Sequence, residues 1–376
     1  MKNIAIISPA HPLRGGISAS TERLALELQA QGKQVIIYSF KLQYPNFLFP
    51  GKTQYTSDPP PPGLVIETLI NSVNPLNWLK IGRKIRKARH DLIITRYWLP
   101  FMGPCLGTIL SIARIKNKTK NIALVDNLIP HEKRPGDRLF TRYFVKAVDA
   151  FLVMSRSVGE DVRRFTDAKP LAFSPHPVYD NYGEKASRED ALQKLDLEEG
   201  PYLLFFGFIR AYKGLDLLLK ALADKRLQQR GIKLIVAGEY YGKQEYYENL
   251  IDELGVRDRI VLHNEYIPNE EVKYFFAAAN LVVQPYKTAT QSGISQMAYH
   301  FERPMVVTKV GGLPEIVPHG KAGFVVDIDP KAIADAIVDY FDQQQEEKMT
   351  KGVIAEKGRF SWSGMVEVLE KLYFKC

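Results

Sequence analysis

Short apolar runs rich in β-branched residues alternate with longer segments of helical period along the whole chain. In the first half the runs fall at residues 3–8, 35–40, 64–70, 91–95, 122–125, 150–154 and 171–174. Each is too short for a helix and bounded by turn residues, which predicts strands. Between them, residues 18–30 place Leu24, Ala25 and Leu28 on one face and stop at Gly32, which predicts a helix. Residues 78–90 keep Ile81, Ile85 and Ala88 inward, and 158–165 reads as a third helix. The longest uncharged run, 97–113, holds Pro100, Gly103, Pro104 and Gly107, which argues against a spanning helix and for one buried on a sheet.

After a polar linker at 175–184 the alternation resumes. Strands are predicted at 202–206, 233–237, 259–262, 280–283, 305–308 and 323–326. A helix carrying Leu215, Leu218, Leu219 and Leu222 on one face follows the first of these, another spans 294–301, and a polar one starts near 331. No repeat of solenoid length is present. Two βα-alternating halves predict an α/β fold of two doubly wound, Rossmann-like domains, residues 1–180 and 181–360, facing each other across a cleft.

Length and composition fit that picture. The chain has 376 residues, enough for about two domains. Its cysteines, Cys105 and Cys376, cannot form a disulfide framework, so a reducing, cytoplasmic setting is expected. The first residues are too short an apolar run for a signal peptide. Charge changes the picture more. Residues 1–185 carry 27 Lys and Arg against 14 Asp and Glu, and the remainder carries 24 against 28. A basic half beside a mildly acidic one suggests an anionic partner for the first: nucleic acid, an anionic membrane surface or a phosphate-bearing acceptor. Arg83, Lys84, Arg86, Lys87 and Arg89 would project from the outer face of the 78–90 helix. No aromatics interleave with them after Trp78, which disfavours nucleic acid and favours an anionic surface, so a peripheral position at the inner face of a membrane is expected.

Candidate chemistry sits in two stretches. Gly207 to Gly214, GFIRAYKG, starts at a strand end and places Arg210 and Lys213 before a helix, an arrangement suited to a diphosphate. Residues 284–317 run strand, small-residue loop, helix. The free N–H groups and positive end of that helix make an anion site, with an ordinary strand-to-helix turn as the plain alternative. Gly15-Gly16 stands at an earlier strand-to-helix junction, without the spacing of a dinucleotide fingerprint. No cluster of metal ligands and no Ser-His-Asp arrangement is evident, and no metal or resident cofactor is expected.

The 284–317 stretch resembles the donor-binding segment of the retaining family 4 glycosyltransferases, which have the GT-B fold. Gly311-Gly312-Leu313-Pro314-Glu315 matches the family's loop, and Ser292-Gly293 takes the place of its helix-opening pair. The two motif Glu residues fall on Thr288 and Gln296. Lys213-Gly214 matches the end of the family's diphosphate loop, Phe208 stands where its Arg is usual, and that role passes to Arg210. Gly15-Gly16 matches the first-domain glycine loop, and Arg359-Phe360-Ser361-Trp362 matches the start of a tail, 361–376, that returns to the first domain. The acceptor-side loop has Asp126 in place of the usual His, with His131 following.

The resemblance implies a retaining glycosyltransferase that moves a sugar from a nucleoside-diphosphate sugar to a saccharide or lipid-linked acceptor, in surface polysaccharide or glycolipid synthesis. It implies catalytic roles for Arg210, Lys213 and Asp126. Donor contacts are implied at Gly15, Gly16, Gly207, Gly238, Tyr266, Thr288, Gln291, Ser292, Gly293, Ile294 and Gln296, and an acceptor contact at His131. Loss of both Glu residues keeps a second reading open, a catalytically silent GT-B-like protein that binds a nucleotide or polysaccharide.

Overall fold

Apolar runs with no polar alternation bury both faces of a strand, which is what parallel sheets need. The structure, a computed structural model, describes residues 1–45, 53–56, 59–116, 118–130, 134–180, 182–242 and 244–376. It divides into two compact units, Met1–His176 with Ser361–Cys376, and Pro177–Phe360.

The first unit holds β1 (Asn3–Ile7), β2 (Gln34–Leu42), β3 (Val65–Asn71), β4 (Leu92–Tyr97), β5 (Lys120–Val125), β6 (Ala150–Val153) and β7 (Leu171–Phe173). They form one sheet in the order β3-β2-β1-β4-β5-β6-β7, and every pairing is parallel. Alternate residues of β1 serve opposite layers. Ile4 and Ile6 pack with Leu24 and Leu28 of the helix Gly16–Ala30. Ala5 and Ile7 pack with Ile81, Ile85, Leu106, Ile109 and Phe144 of the helices on the other face.

The tail helix Trp362–Tyr373 belongs to this first unit. Ser361 caps it, and Trp362, Met365, Val366, Leu369 and Leu372 complete the layer around Ile4 and Leu24. Arg23 stacks over the Trp362 ring at 5.5 Å, and Lys33 pairs with Glu370 at 2.7 Å.

The uncharged 97–113 run is split: Tyr97 ends β4, residues 100–102 make one 3-10 turn, and the buried helix is Gly103–Ala113. The basic helix also differs from expectation. It starts at Pro75, because Asn74 accepts a hydrogen bond from the Asn77 amide and Pro suits the first turn. Its inner face is Ile81, Gly82 and Ile85, and Ala88 is exposed. Gly82 allows close packing here, since a Cβ would stand 2.8 Å from the Ile112 Cβ. Two of the five cations are occupied. Lys84 pairs with Glu67 at 2.6 Å, and Arg86 donates to the Ile112 and Arg114 carbonyls at the end of the neighbouring helix.

The second unit holds β8 (Tyr202–Phe206), β9 (Lys233–Ala237), β10 (Ile260–His263), β11 (Leu281–Gln284), β12 (Met305–Thr308) and β13 (Gly323–Val326), all parallel, in the order β10-β9-β8-β11-β12-β13. Leu203 and Phe205 pack on Leu215, Leu218, Leu219 and Leu222. Strand order reverses between β1 and β4 in one unit and between β8 and β11 in the other. Open α/β sheets bind ligands at the carboxyl edge beside such a reversal. Among the described residues no helix is long and apolar enough to cross a membrane.

Candidate active site

In the second unit the loops after β8, β9 and β11 meet at the reversal. The chain leaves β8 through Gly207, at φ 88°, and passes residues 211–213 as a single 3-10 turn into the helix Leu215–Leu222. Gly238, at φ 140°, backs onto Gly207 so closely that a Cβ there would run into the Gly207 carbonyl. Pairing continues past the strand ends: Ile209 N–H donates to the Glu239 carbonyl at 2.8 Å, and Tyr241 N–H to the Ile209 carbonyl at 2.9 Å.

A Cβ on Gly207 would lie 3.1 Å from Ile294 Cδ1 and 3.3 Å from Lys213 Nζ, so these side chains crowd the same side of one glycine. Lys213 is only 9% exposed. Among the described residues its ammonium has no hydrogen-bond acceptor and no carboxylate; its near neighbour is the Tyr286 ring, 5.8 Å from Nζ. Burial, with Arg210 nearby, pushes its pKa down to about 7. The Arg210 guanidinium lies 4.9 Å over the Tyr241 ring, an aromatic shelf that the sequence did not reveal.

The helix after β11 is Gly293–His300, capped by Ser292, whose hydroxyl accepts from the Ser295 amide. Ser292 and Ser295 both donate to Gln284 Oε1, at 2.5 and 3.1 Å, and Tyr286 reaches the Ser292 hydroxyl. This buried network fixes the helix start. Gln284 is the last residue of its strand; the sequence signal for it was a polar residue ending an otherwise apolar run. Gln296, one turn into the helix, is completely buried, and neither of its amide atoms has a hydrogen-bond partner among the described residues. Thr288 and Gln291 lie half-buried in the loop before the helix. The Gly311-Gly312 loop braces it: Gly312 N–H donates to the Thr290 carbonyl at 3.2 Å. Tyr266 follows β10, the edge strand of the sheet, by three residues.

In the first unit Gly15, at φ 111°, precedes the helix Gly16–Ala30 beside the end of β1. Asp126 follows β5 and is gripped by Arg96 of β4. Arg96 Nε donates to Oδ2 at 2.7 Å and Nη2 to Oδ1 at 2.6 Å, while Nη1 reaches the Ser20 hydroxyl at 2.6 Å. Arg96 was missed in the sequence, although one arginine inside an apolar strand was its signal. His131 lies outside the described residues. Among the described residues no group of three or more His, Cys, Asp or Glu could hold a metal ion.

Comparison with known proteins agrees with both halves. The family model "Glycosyltransferase Family 4" matches residues 14–180, and "Glycosyl transferases group 1" matches residues 200–343. The D-inositol 3-phosphate glycosyltransferase of Corynebacterium glutamicum is 26% identical over 310 residues, 76% of this chain and 72% of its own length. That of Thermobifida fusca is 25% identical over 395 aligned positions, 96% and 88%. The sucrose-phosphate synthase of Thermosynechococcus elongatus superposes with a TM-score of 0.78 at 19% identity, covering 100% of this chain and 99% of its own. Anabaena HepE, solved with UDP and glucose, gives 0.73 at 18%, with 100% of both chains covered.

Proposed function

Because the chain belongs to the family 4 glycosyltransferases and has the GT-B fold, we propose that it transfers a sugar from a nucleoside-diphosphate sugar to a saccharide or lipid-linked acceptor with retention of configuration. One observation carries the proposal: Lys213 is a buried cation with no anionic partner among the described residues. A buried charge of this kind is costly unless a ligand neutralises it. A diphosphate on the Gly207 side of the sheet edge would do so. Arg210 would add a second cation, and the Gly293 and Ile294 amides would face the same phosphate.

In this reading the bond from the anomeric carbon to the diphosphate oxygen breaks on the face where the acceptor oxygen attacks. The acceptor proton passes to the departing diphosphate. Cations and amides already aimed at that diphosphate stabilise the charge it gains, and the chain's own groups supply this without a metal or resident cofactor. Gln296 would pair its buried amide with donor hydroxyls in place of the family's Glu. Asp126, held rigid by Arg96, would orient the acceptor or the sugar. Nucleotide release tests the reading: the chain, given UDP-, GDP- and ADP-sugars with saccharide and lipid-linked acceptors, should release one nucleoside diphosphate. Binding of a nucleotide with no release under any pairing would favour the silent binding protein, which the missing Glu residues motivate.

The first unit supports a place at an anionic membrane, with the acceptor in surface polysaccharide or glycolipid synthesis. Arg83, Lys87 and Arg89 are exposed on the basic helix, and Leu76 at its start is 77% exposed. Cations near an anionic bilayer contribute roughly 1 kcal/mol each.

A further inference from the structure

A cavity opens beside the diphosphate loop. It has a volume of about 310 Å³ and is lined by Ile209, Ala211, Asp216, Tyr241, Tyr246, Tyr247 and Lys287. Its walls come from the paired loops after β8 and β9 and from the first turns of two helices, Leu215–Leu222 and Gln244–Glu253. Asp216 is 7% exposed; its Oδ2 holds Lys287 Nζ at 2.8 Å, while its Oδ1 is buried and has no hydrogen-bond partner among the described residues. Tyr246 and Tyr247 meet edge to face at 5.1 Å, and Tyr246 keeps 49% of its surface exposed. Tyr241 is the ring that carries Arg210.

We infer that this cavity is a saccharide subsite distinct from the donor's own sugar position. Tyrosine faces beside the Asp216–Lys287 pair suit a sugar ring, whose C–H face packs on aromatic carbon and whose hydroxyls accept from the Lys287 ammonium, its side chain 40% exposed. The Asp216–Lys287 pair leaves the site near neutral, so an uncharged hexose suits it better than a phosphate. Through Tyr241 the occupied cavity would also touch the shelf under Arg210. The inference goes beyond the donor reading and can fail separately from it.

Saturation-transfer difference NMR on the full chain tests it, using the methyl glycosides of glucose, galactose, mannose and N-acetylglucosamine as probes. Spectra are taken with and without saturating UDP, GDP or ADP, which fill the nucleotide position and leave the donor's sugar position open, so the Tyr246 variants tell the two positions apart. At least one glycoside should give signal that survives nucleotide. Tyr246→Ala should weaken it at least tenfold and Tyr246→Phe should keep it, with the nucleotide-induced shift in melting temperature unchanged in both variants. No glycoside signal in the presence of nucleotide, or signal that Tyr246→Ala leaves intact, overturns the subsite. Absence of any nucleotide-induced melting shift in the parent instead counts against the donor reading, and the glycoside arm is then read without nucleotide.

Discussion

Arg96 and Asp126 are joined by two parallel hydrogen bonds, at 2.7 and 2.6 Å, across the carboxyl ends of β4 and β5. Their side chains are 3% and 11% exposed, so removing either leaves the other a buried charge that has lost this counter-charge. Asp126→Leu or Arg96→Met alone should cost on the order of 3–5 kcal/mol of stability, and the double change should recover much of it. Urea titrations of the four proteins give the coupling directly. Additive losses would show that the pair does not act as a unit.

Lys213 gives a pH dependence with a definite sign. Its pKa in the free protein lies near 7, and a bound diphosphate would raise it, so binding takes up a proton above that point. Nucleotide affinity should fall as pH rises from about 7 to 9. Titrations in buffers of different ionisation heat should show proton uptake over the same range, and a flat profile would remove Lys213 from the site.

The same group sets a stability trend without ligand. Between about 7 and the ordinary lysine range the unfolded chain holds a proton that the folded chain has lost, so stability should rise with pH there. Lys213→Met should be more stable than the parent at pH 6, flatten that rise and lose nucleotide binding. A Met variant less stable at pH 6 would argue that the ammonium is well solvated.

Gln296→Met removes two buried polar atoms that are unpaired among the described residues, at similar volume. The melting temperature should rise by a few degrees, since each unsatisfied polar group costs about 1–3 kcal/mol. If Gln296 meets donor hydroxyls, KM for the sugar nucleotide should rise about tenfold in the same variant. A rise in stability with unchanged KM would leave Gln296 a core residue only.

Vesicle co-sedimentation tests the basic face. Binding to anionic vesicles should fade as salt rises and weaken when Arg83, Lys87 and Arg89 become Gln. Changing Lys84 should matter less, because Glu67 already holds it. Indifference to anionic vesicles at low salt would contradict the membrane reading.

Much of the fold was legible in the chain because parallel strands are buried on both faces and announce themselves as unbroken apolar runs. The strands at residues 305–308 and 323–326 fall where the pattern puts them. Helix starts were less legible: Asn74 and Pro75 extend the basic helix by a cap and a first turn that carry little apolar signal. Strand order is not written in local pattern at all, so the sequence could not place β11 beside β8 or bring Ile294 to the same side of Gly207 as Lys213. The Arg96–Asp126 pair and the Tyr241 shelf are likewise products of topology, joining residues 30 or so apart in the chain.

Isothermal titration of the full chain with UDP, GDP and ADP, beside Lys213→Ala and the exposed control Lys220→Ala, tests the central claim most directly. One diphosphate should bind the parent and the control alike. Lys213→Ala should bind it about 10- to 100-fold more weakly, the loss expected for a hydrogen bond to a charged group. Equal affinity in the parent and Lys213→Ala, or no binding of any diphosphate to the parent, would contradict the account.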